Sequence, residues 1–293
     1  MAFNANKSYI VKSISGFYYV KTAYAILECK ARGVFRKNEI VPTVGDYVDI
    51  SCNANENVIV NILERKNLLK RPPIANVDQL FIVVSTTEPT PNLVLADKLT
   101  TVAIMNEIEP IIVVTKQDLV NEEEILTHYN NSGIRLFVTD KSNKNITIEQ
   151  IRLLLKGKLS VFTGNSGVGK TTLLNALSSD NLKLETAPIS TKLGRGKHTT
   201  RAVEIFEMND GLIADTPGFS AFDFEKPGEI TKKNLQHYFP EFAPYFSKCK
   251  YQDCAHIKEK DCVIKKAVDA GEISTGRYNS YVQIYNEIKE PYI

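Results

Sequence analysis

The sequence predicts a multidomain chain: a small N-terminal β-barrel, a central α/β domain and a mainly helical C-terminal domain. Three observations carry that prediction. Short β-rich runs separated by turn signals fill residues 7 to about 67, continuous apolar runs alternate with helical stretches from Gln79 onward, and three cysteines crowd with a histidine between Cys249 and Cys262. At 293 residues and 43% hydrophobic content, the chain has apolar side chains enough for about two cores. Its 36 basic and 34 acidic residues leave a net charge of +2, so any nucleic-acid surface must be a local patch. The N-terminus lacks an apolar core of signal-peptide length, and no run approaches the ~20 apolar residues of a membrane span. We expect a cytoplasmic protein with no membrane partner. Five cysteines are an odd number for a disulfide framework, which points to a reducing compartment and a metal.

The barrel is expected over residues 1–68. Its runs are Tyr9–Val11, Phe17–Val20, Ala25–Cys29, Val44–Ile50 and Asn57–Leu63. Five short strands suit a barrel of the oligonucleotide-binding type (OB-fold), which offers one strand face and its loops to single-stranded nucleic acid. Lys30, Arg32, Arg36 and Lys37 fall where such an RNA-binding surface can lie. Pro72 and Pro73 extend neither a helix nor a sheet edge, so Arg65–Pro73 reads as a linker.

The central domain, residues 69–222, is organised by Gly164-Asn165-Ser166-Gly167-Val168-Gly169-Lys170-Thr171-Thr172, which has the spacing G-x-x-x-x-G-K-[ST] of a phosphate-binding P-loop. Val161-Phe162 ends a buried strand and Thr172–Leu177 opens a helix, the context this motif requires. Glycines let the backbone fold around an anion, helix N-terminal amides and the helix dipole favour phosphate, Lys170 reaches the β/γ-phosphates, and the Thr171 hydroxyl is placed for Mg²⁺.

Upstream, Leu80–Val84 and Pro110–Val114 are fully apolar with a helical stretch from Leu93 to Asn106 between them, a βαβ unit. The second strand runs into Thr115-Lys116-Gln117-Asp118, which resembles the [NT]-K-x-D guanine-recognition element of GTPases. Asp118 can accept two hydrogen bonds from the guanine ring N–H and exocyclic amine, a donor pair adenine lacks. Thr115 stands where many GTPases carry Asn, which changes a hydrogen bond bracing the base pocket. In ordinary GTPases this element follows the P-loop, whereas here Asp118 precedes Gly164, so the domain reads as circularly permuted. The strand Arg135–Val138 leads to a loop, Thr139–Lys141, without the Ser-Ala pair usual at the last guanine-contacting position.

After the P-loop helix, Ser190–Arg201 is rich in glycine, hydroxyls and bases and has no apolar period, so we expect a mobile loop. Strand Ala202–Phe206 then turns at Asn209-Asp-Gly211 into Leu212–Asp215. Asp215-Thr-Pro-Gly218 is a D-x-x-G that would set Asp215 near Mg²⁺ and the Gly218 amide on the γ-phosphate. In the C-terminal domain, residues 223–293, Cys249, Cys254, His256 and Cys262 supply soft thiolates and one imidazole, a closed ligand set for one structural Zn²⁺ in a domain with little core of its own. Surrounding lysines and a helix near Arg277–Glu290 bearing Tyr278, Tyr281 and Tyr285 suit RNA contact.

Nearly the whole chain resembles the bacterial ribosome small subunit-dependent GTPase A family, in which a barrel, a permuted GTPase domain and a zinc domain occur in this order. The carriers are Arg71-Pro-Pro-Ile-Ala-Asn-Val-Asp-Gln79, Thr115–Asp118, Gly164–Thr171, Gly194-Arg-Gly-Lys-His-Thr-Thr200, Asp215-Thr-Pro-Gly-Phe219 and the cysteine–histidine set. Besides Thr115 and the loop at Thr139, Lys260-Asp261 departs from a frequent Pro-Gly, and none of these removes a ligand. The resemblance implies a factor in late maturation of the small (30S) ribosomal subunit that binds its rRNA and hydrolyses GTP to GDP with stimulation by the subunit. It places a histidine at His198, beside Thr199 and Thr200. With Phe219 where many GTPases carry a water-orienting Gln, His198 is the candidate catalytic residue, alongside Lys170 and Thr200, and either Thr199 or Thr200 approaches Mg²⁺ with Thr171 and Asp215. We expect a monomer. Two other readings are a P-loop ATP-dependent enzyme, against which Asp118 argues, and an RNA-binding assembly chaperone whose nucleotide site is only a switch.

Overall fold

The computed structural model describes residues 7–37, 40–53, 56–70, 72–116, 122–139, 144–178, 203–215 and 230–289. The chain divides into two compact units, Met1–Phe81 with Asn145–Thr163 and Lys170–Phe219, and Ile82–Lys144 with Gly164–Gly169 and Ser220–Ile293. No helix among the described residues is long and apolar enough to cross a membrane.

The first unit begins with strands β1 (Tyr9–Ile14), β2 (Phe17–Lys21) and β3 (Ile26–Ala31), a short helix α1 (Gly33–Lys37), and strands β4 (Val48–Cys52) and β5 (Asn57–Ile62). Their order is β1-β2-β3-β5-β4, with β3 and β5 parallel. Tyr9 bridges to Tyr47, and the Val48 amide donates to the Ser8 carbonyl at 2.9 Å, so the last strand returns to the first and the barrel closes. This is the strand order of an OB-fold, the barrel type expected from the sequence. Ile10, Val20, Cys29, Val48 and Ile59 fill its interior. The fourth strand starts later than its apolar run suggests, because Gly45 turns at φ 90°, where a Cβ would sit 2.2 Å from the Ala75 carbonyl oxygen. Asp46 beside it is fully buried, and Arg65 donates to both its carboxylate oxygens at 2.7 Å.

The linker reading needs correction. β6 (Leu68–Lys70) and β7 (Pro73–Ala75) pair antiparallel, with Lys70 opposite Pro73. Proline is tolerated as the first residue of a strand in so short a ribbon, where its missing amide costs no interior ladder bond.

The rest of this unit holds helix α4 (Lys144–Leu155, in it from Asn145), strand β11 (Leu159–Thr163), helix α5 (Lys170–Leu177) and the hairpin β12 (Glu204–Met208) and β13 (Gly211–Asp215). Strand β11 runs parallel to β13, and β12 pairs with β1 through Lys12 and Glu204, whose side chains form an ion pair at 2.9 Å. Asn209 and Asp210 have φ of 52° and 57°, the two left-handed residues of a tight hairpin turn. Gly211 is needed for a different reason: a Cβ there would lie 2.0 Å from the Leu155 carbonyl oxygen. Arg152 donates from Nε to Leu177 O at 3.0 Å and from Nη2 to Ala176 O at 2.8 Å, and Asn209 Nδ2 also reaches Leu177 O at 2.8 Å. These donors satisfy the carbonyls left open at the end of α5.

In the second unit, β8 (Gln79–Ser85, in it from Ile82), α2 (Leu93–Met105) and β9 (Glu109–Thr115) form the predicted βαβ unit, followed by α3 (Glu123–Tyr129) and β10 (Arg135–Val138) parallel to β9. Burial along all of β8 explains its unbroken apolar run. Asn92 caps α2, its side chain accepting from the Leu95 amide at 2.9 Å. The C-terminal part has two 3₁₀ turns, Leu235–Tyr238 and Pro240–Tyr245, then α6 (Val263–Asp269) and α7 (Thr275–Glu287). Leu235, Phe239, Phe242, Ile264, Tyr281 and Ile284 pack into one core cluster, so this region holds more apolar core than its sequence suggests.

Candidate nucleotide and metal sites

The loop 164–169 follows β11 and runs directly into α5, whose first residue is Lys170. Three glycines shape it: Gly164, Gly167 and Gly169 have φ of 148°, 83° and 93°. At Gly164 a Cβ would lie 2.4 Å from the Val83 carbonyl oxygen, so only glycine lets the loop lie against β8. Val168 is buried and anchors the loop, while Ser166 and Gly167 are exposed. A loop of this kind turns backbone amides toward an anion without a side chain in the way. Thr171 and Thr172, in the first turn of α5, are exposed and Lys170 is half-buried.

Thr115 ends β9, buried, and its hydroxyl lies 2.5 Å from the Val168 carbonyl oxygen, to which it donates. The substitution for Asn that sequence alone marks as a changed brace is therefore itself a brace onto the loop. Lys116 follows with φ 60°, and its ammonium donates to the Glu88 carbonyl. The structure thus brings Thr115, Lys116 and Gly164–Gly169 together. At Thr139 both the amide and the hydroxyl donate to Val114 O at 2.9 Å. Asp215 closes β13, its backbone paired with Phe162 and Glu204. Asp118, Asp140, Lys141, His198, Thr199, Thr200, Gly218 and Phe219 lie outside the described residues.

Cys249, Cys254, His256 and Cys262 offer ligand atoms all within 4.8 Å of one another. The separations are 3.3 Å from His256 Nδ1 to Cys262 Sγ, 3.7 Å from His256 Nδ1 to Cys249 Sγ and 3.9 Å between Cys249 and Cys262. A tetrahedron with metal–sulfur bonds of about 2.3 Å has edges of about 3.8 Å, so the cluster is already sized for one ion. His256 Nε2 is 2.8 Å from Gln236 Oε1, a contact that takes the ring proton and leaves Nδ1 as the ligand. Tyr278 and Tyr281 donate to the carbonyls of His256 and Ala255 at 2.7 and 2.9 Å, and Glu259 accepts from the amides of Ala255, Ile257 and Lys258. Burial pushes the Cys254 thiol up to about 12, so metal uptake must release its proton. Tyr281, expected from sequence to face RNA, is 1% exposed and braces the knuckle from inside.

Sequence reasoning missed a buried ion network in the same unit. Arg277 donates to Asp97 Oδ1 at 2.5 Å and to Glu241 Oε1 at 2.7 Å, and His128 Nε2 lies 2.7 Å from Asp97 Oδ2. Arg277 and Asp97 are fully buried. Burial opposes the Arg277 charge, but Asp97 and Glu241 outweigh it and hold its pKa above the ordinary value. Burial likewise opposes the Asp97 charge, and Arg277 and His128 keep its carboxyl below the usual range. No local pattern marks these residues, since a lone Asp or Arg in a helix reads as solvated.

Residues 62–225 match the RsgA GTPase family, and residues 7–60 match the RsgA N-terminal domain. The chain belongs to the RsgA GTPase family. It is 46% identical to the small ribosomal subunit biogenesis GTPase RsgA of Geobacillus sp. (strain WCH70), over 96% of this chain and 97% of that protein. It is 43% identical to the protein of the same name from Caldanaerobacter subterraneus subsp. tengcongensis, over 96% and 95%. The crystal structure of YjeQ from Thermotoga maritima superposes with a TM-score of 0.78 at 32% identity, covering 97% of this chain and 98% of that one. That of YloQ, a circularly permuted GTPase, gives 0.75 at 33%, covering 98% and 96%. Membership makes the protein a GTP hydrolase with the permuted order read from Asp118 and Gly164, and it sets aside the ATP-dependent reading. The family implies a magnesium nucleotide. The glycine cradle against Val83, with Lys170 and Thr171 directly after it, fits one.

Proposed function

We propose that this chain hydrolyses GTP to GDP and phosphate while bound to the small ribosomal subunit, in that subunit's late maturation, and that the subunit stimulates the reaction. The observation that carries this reading is the phosphate loop braced by Thr115 to the strand that leads into Asp118, in a chain whose relatives bear the name of a small-subunit biogenesis GTPase. Gly164, Asn165, Ser166, Gly167, Val168, Gly169, Lys170, Thr171 and Thr172 hold the phosphates, and Thr115, Lys116 and Asp118 select guanine. Thr171 and Asp215, with Thr199 or Thr200, serve Mg²⁺ directly or through water. Gly218 contacts the γ-phosphate and His198 orients the attacking water.

Zinc is the metal proposed for the cysteine–histidine cluster, because three thiolates and an imidazole with no open position suit a structural Zn²⁺. Its role is to hold the knuckle, and the exposed Lys248, Lys250, Lys258, Lys260 and Lys266 around it meet rRNA phosphates. The barrel is the second rRNA surface. The functional division is residues 1–68, 69–222 and 223–293, in a monomeric cytoplasmic protein.

Multiple-turnover hydrolysis of GTP and ATP, measured with and without purified small subunits, tests the proposal. Slow GTP turnover that the subunits accelerate, with ATP inert, is expected. Turnover indifferent to subunits would overturn the stimulation, and hydrolysis too slow to matter with or without them would leave the nucleotide site as a switch only.

A further inference from the structure

We infer that Thr86 is a positioning residue for guanine recognition, acting through the turn at Lys116; this rests on the reading of Asp118 as the base-selecting carboxylate. Thr86 directly follows β8 and is buried. Its amide donates to the Thr115 carbonyl at 3.1 Å, and its hydroxyl donates to the Lys116 carbonyl at 2.7 Å. One residue therefore holds two successive carbonyls of the segment leading into Asp118. Lys116 needs such a hold. Its φ of 60° is a left-handed conformation that a lysine keeps only when its surroundings impose it. The Lys116 ammonium reaches the Glu88 carbonyl, two residues beyond Thr86, so both the backbone and the side chain of Lys116 are fastened to the β8–α2 connection.

The same turn is tied on its other side to the phosphate loop, through Thr115 and Val168. Thr86 and Thr115 together fix the base-reading strand relative to the loop that holds phosphate. A carboxylate reading two donors on a planar base tolerates little misdirection, since hydrogen bonds weaken steeply with angle. Loss of the Thr86 hydroxyl leaves the Lys116 carbonyl without that donor and removes the hydroxyl bond that holds the left-handed turn at its own carbonyl.

The test compares GDP with inosine diphosphate, which lacks the exocyclic amine, by calorimetry on the full-length protein. Wild type should prefer GDP. Thr86→Val, which keeps the shape and removes the hydroxyl, should lose roughly tenfold in GDP affinity and much less for inosine diphosphate, the scale of one charged hydrogen bond no longer made well. Thr86→Ser should restore the preference. A role in folding alone would lower both affinities together or neither, so a wild-type GDP-to-inosine ratio in Thr86→Val overturns the proposal. If that variant does not fold, the ratio in Thr86→Ala decides in the same way. Equal binding of the two nucleotides by wild type would instead refute the Asp118 reading, and the role of Thr86 would fall with it.

Discussion

Phe219 follows Asp215-Thr-Pro-Gly218, and a phenyl ring neither donates nor accepts a hydrogen bond to the attacking water. That leaves the task to another residue, which is why His198 carries the proposed chemistry and Lys170 the binding. His198→Ala should bind GTP and the small subunit nearly as wild type yet lose about a hundredfold or more of stimulated hydrolysis, the range of a lost proton-handling or water-orienting group. Lys170→Ala should lose nucleotide affinity itself. Single-turnover hydrolysis on saturating subunits separates the two, and an unchanged rate in His198→Ala would remove the histidine from the reaction. Asp118→Asn presents an amide donor where guanine offers only donors, so preference should move toward xanthosine triphosphate, whose ring has a carbonyl there. Unchanged preference in a competition assay would refute the base-selecting assignment.

Among the elements, the knuckle 249–262 and helix α7 depend on each other: Tyr278 and Tyr281 of α7 hold the carbonyls beside His256, and the core of Phe239, Phe242 and Ile284 lies beneath. Cys254→Ala should release one equivalent of zinc and loosen the knuckle in hydrogen exchange, while the core cluster stays protected and GTP still binds. No zinc in metal-replete wild-type protein by elemental analysis would end the metal assignment. Arg277 of α7 sits between Asp97 of α2 and Glu241, with His128 of α3 and Thr100 of α2 also at the pair. Arg277→Met leaves two buried carboxylates without their partner and should cost about 3–5 kcal/mol in denaturant unfolding. Because the Asp97 carboxyl is held below its ordinary value, its stabilisation is complete above the unfolded value of about 4 and is lost as pH falls through the lower native value. Without Arg277 only His128 and Ser280 still favour the charged form of that carboxyl, so it resists protonation less and acid unfolding of the variant should begin at a higher pH than in wild type. Coincident acid transitions would show that the network contributes nothing.

For the whole molecule, the sequence by itself determined the architecture and the reaction: a barrel, a permuted GTPase domain and a cluster of metal-ligating side chains, in a GTP hydrolase. Short β-rich runs announced the barrel, unbroken apolar runs announced β8 and β9, and Asp118 standing before Gly164 announced the permutation. Each signal is local, because burial of a strand or the ligand softness of a cysteine is written in a few adjacent residues. The hairpin of β6 and β7 escaped because two prolines argue for a break until a partner strand places Pro73 at a strand start, where no amide is needed. Tyr281 escaped because an aromatic on a helix face reads equally as an RNA contact or as core. Only the tertiary structure decided that Thr115 braces Val168 across 53 positions, that Thr86 holds Lys116 across 30, and that Asp97 meets Arg277 across 180. Such partners are chosen by packing: a hydroxyl or a charge carries no mark of which distant carbonyl or carboxylate it will be buried against, and burial without that partner would cost more than the fold can bear.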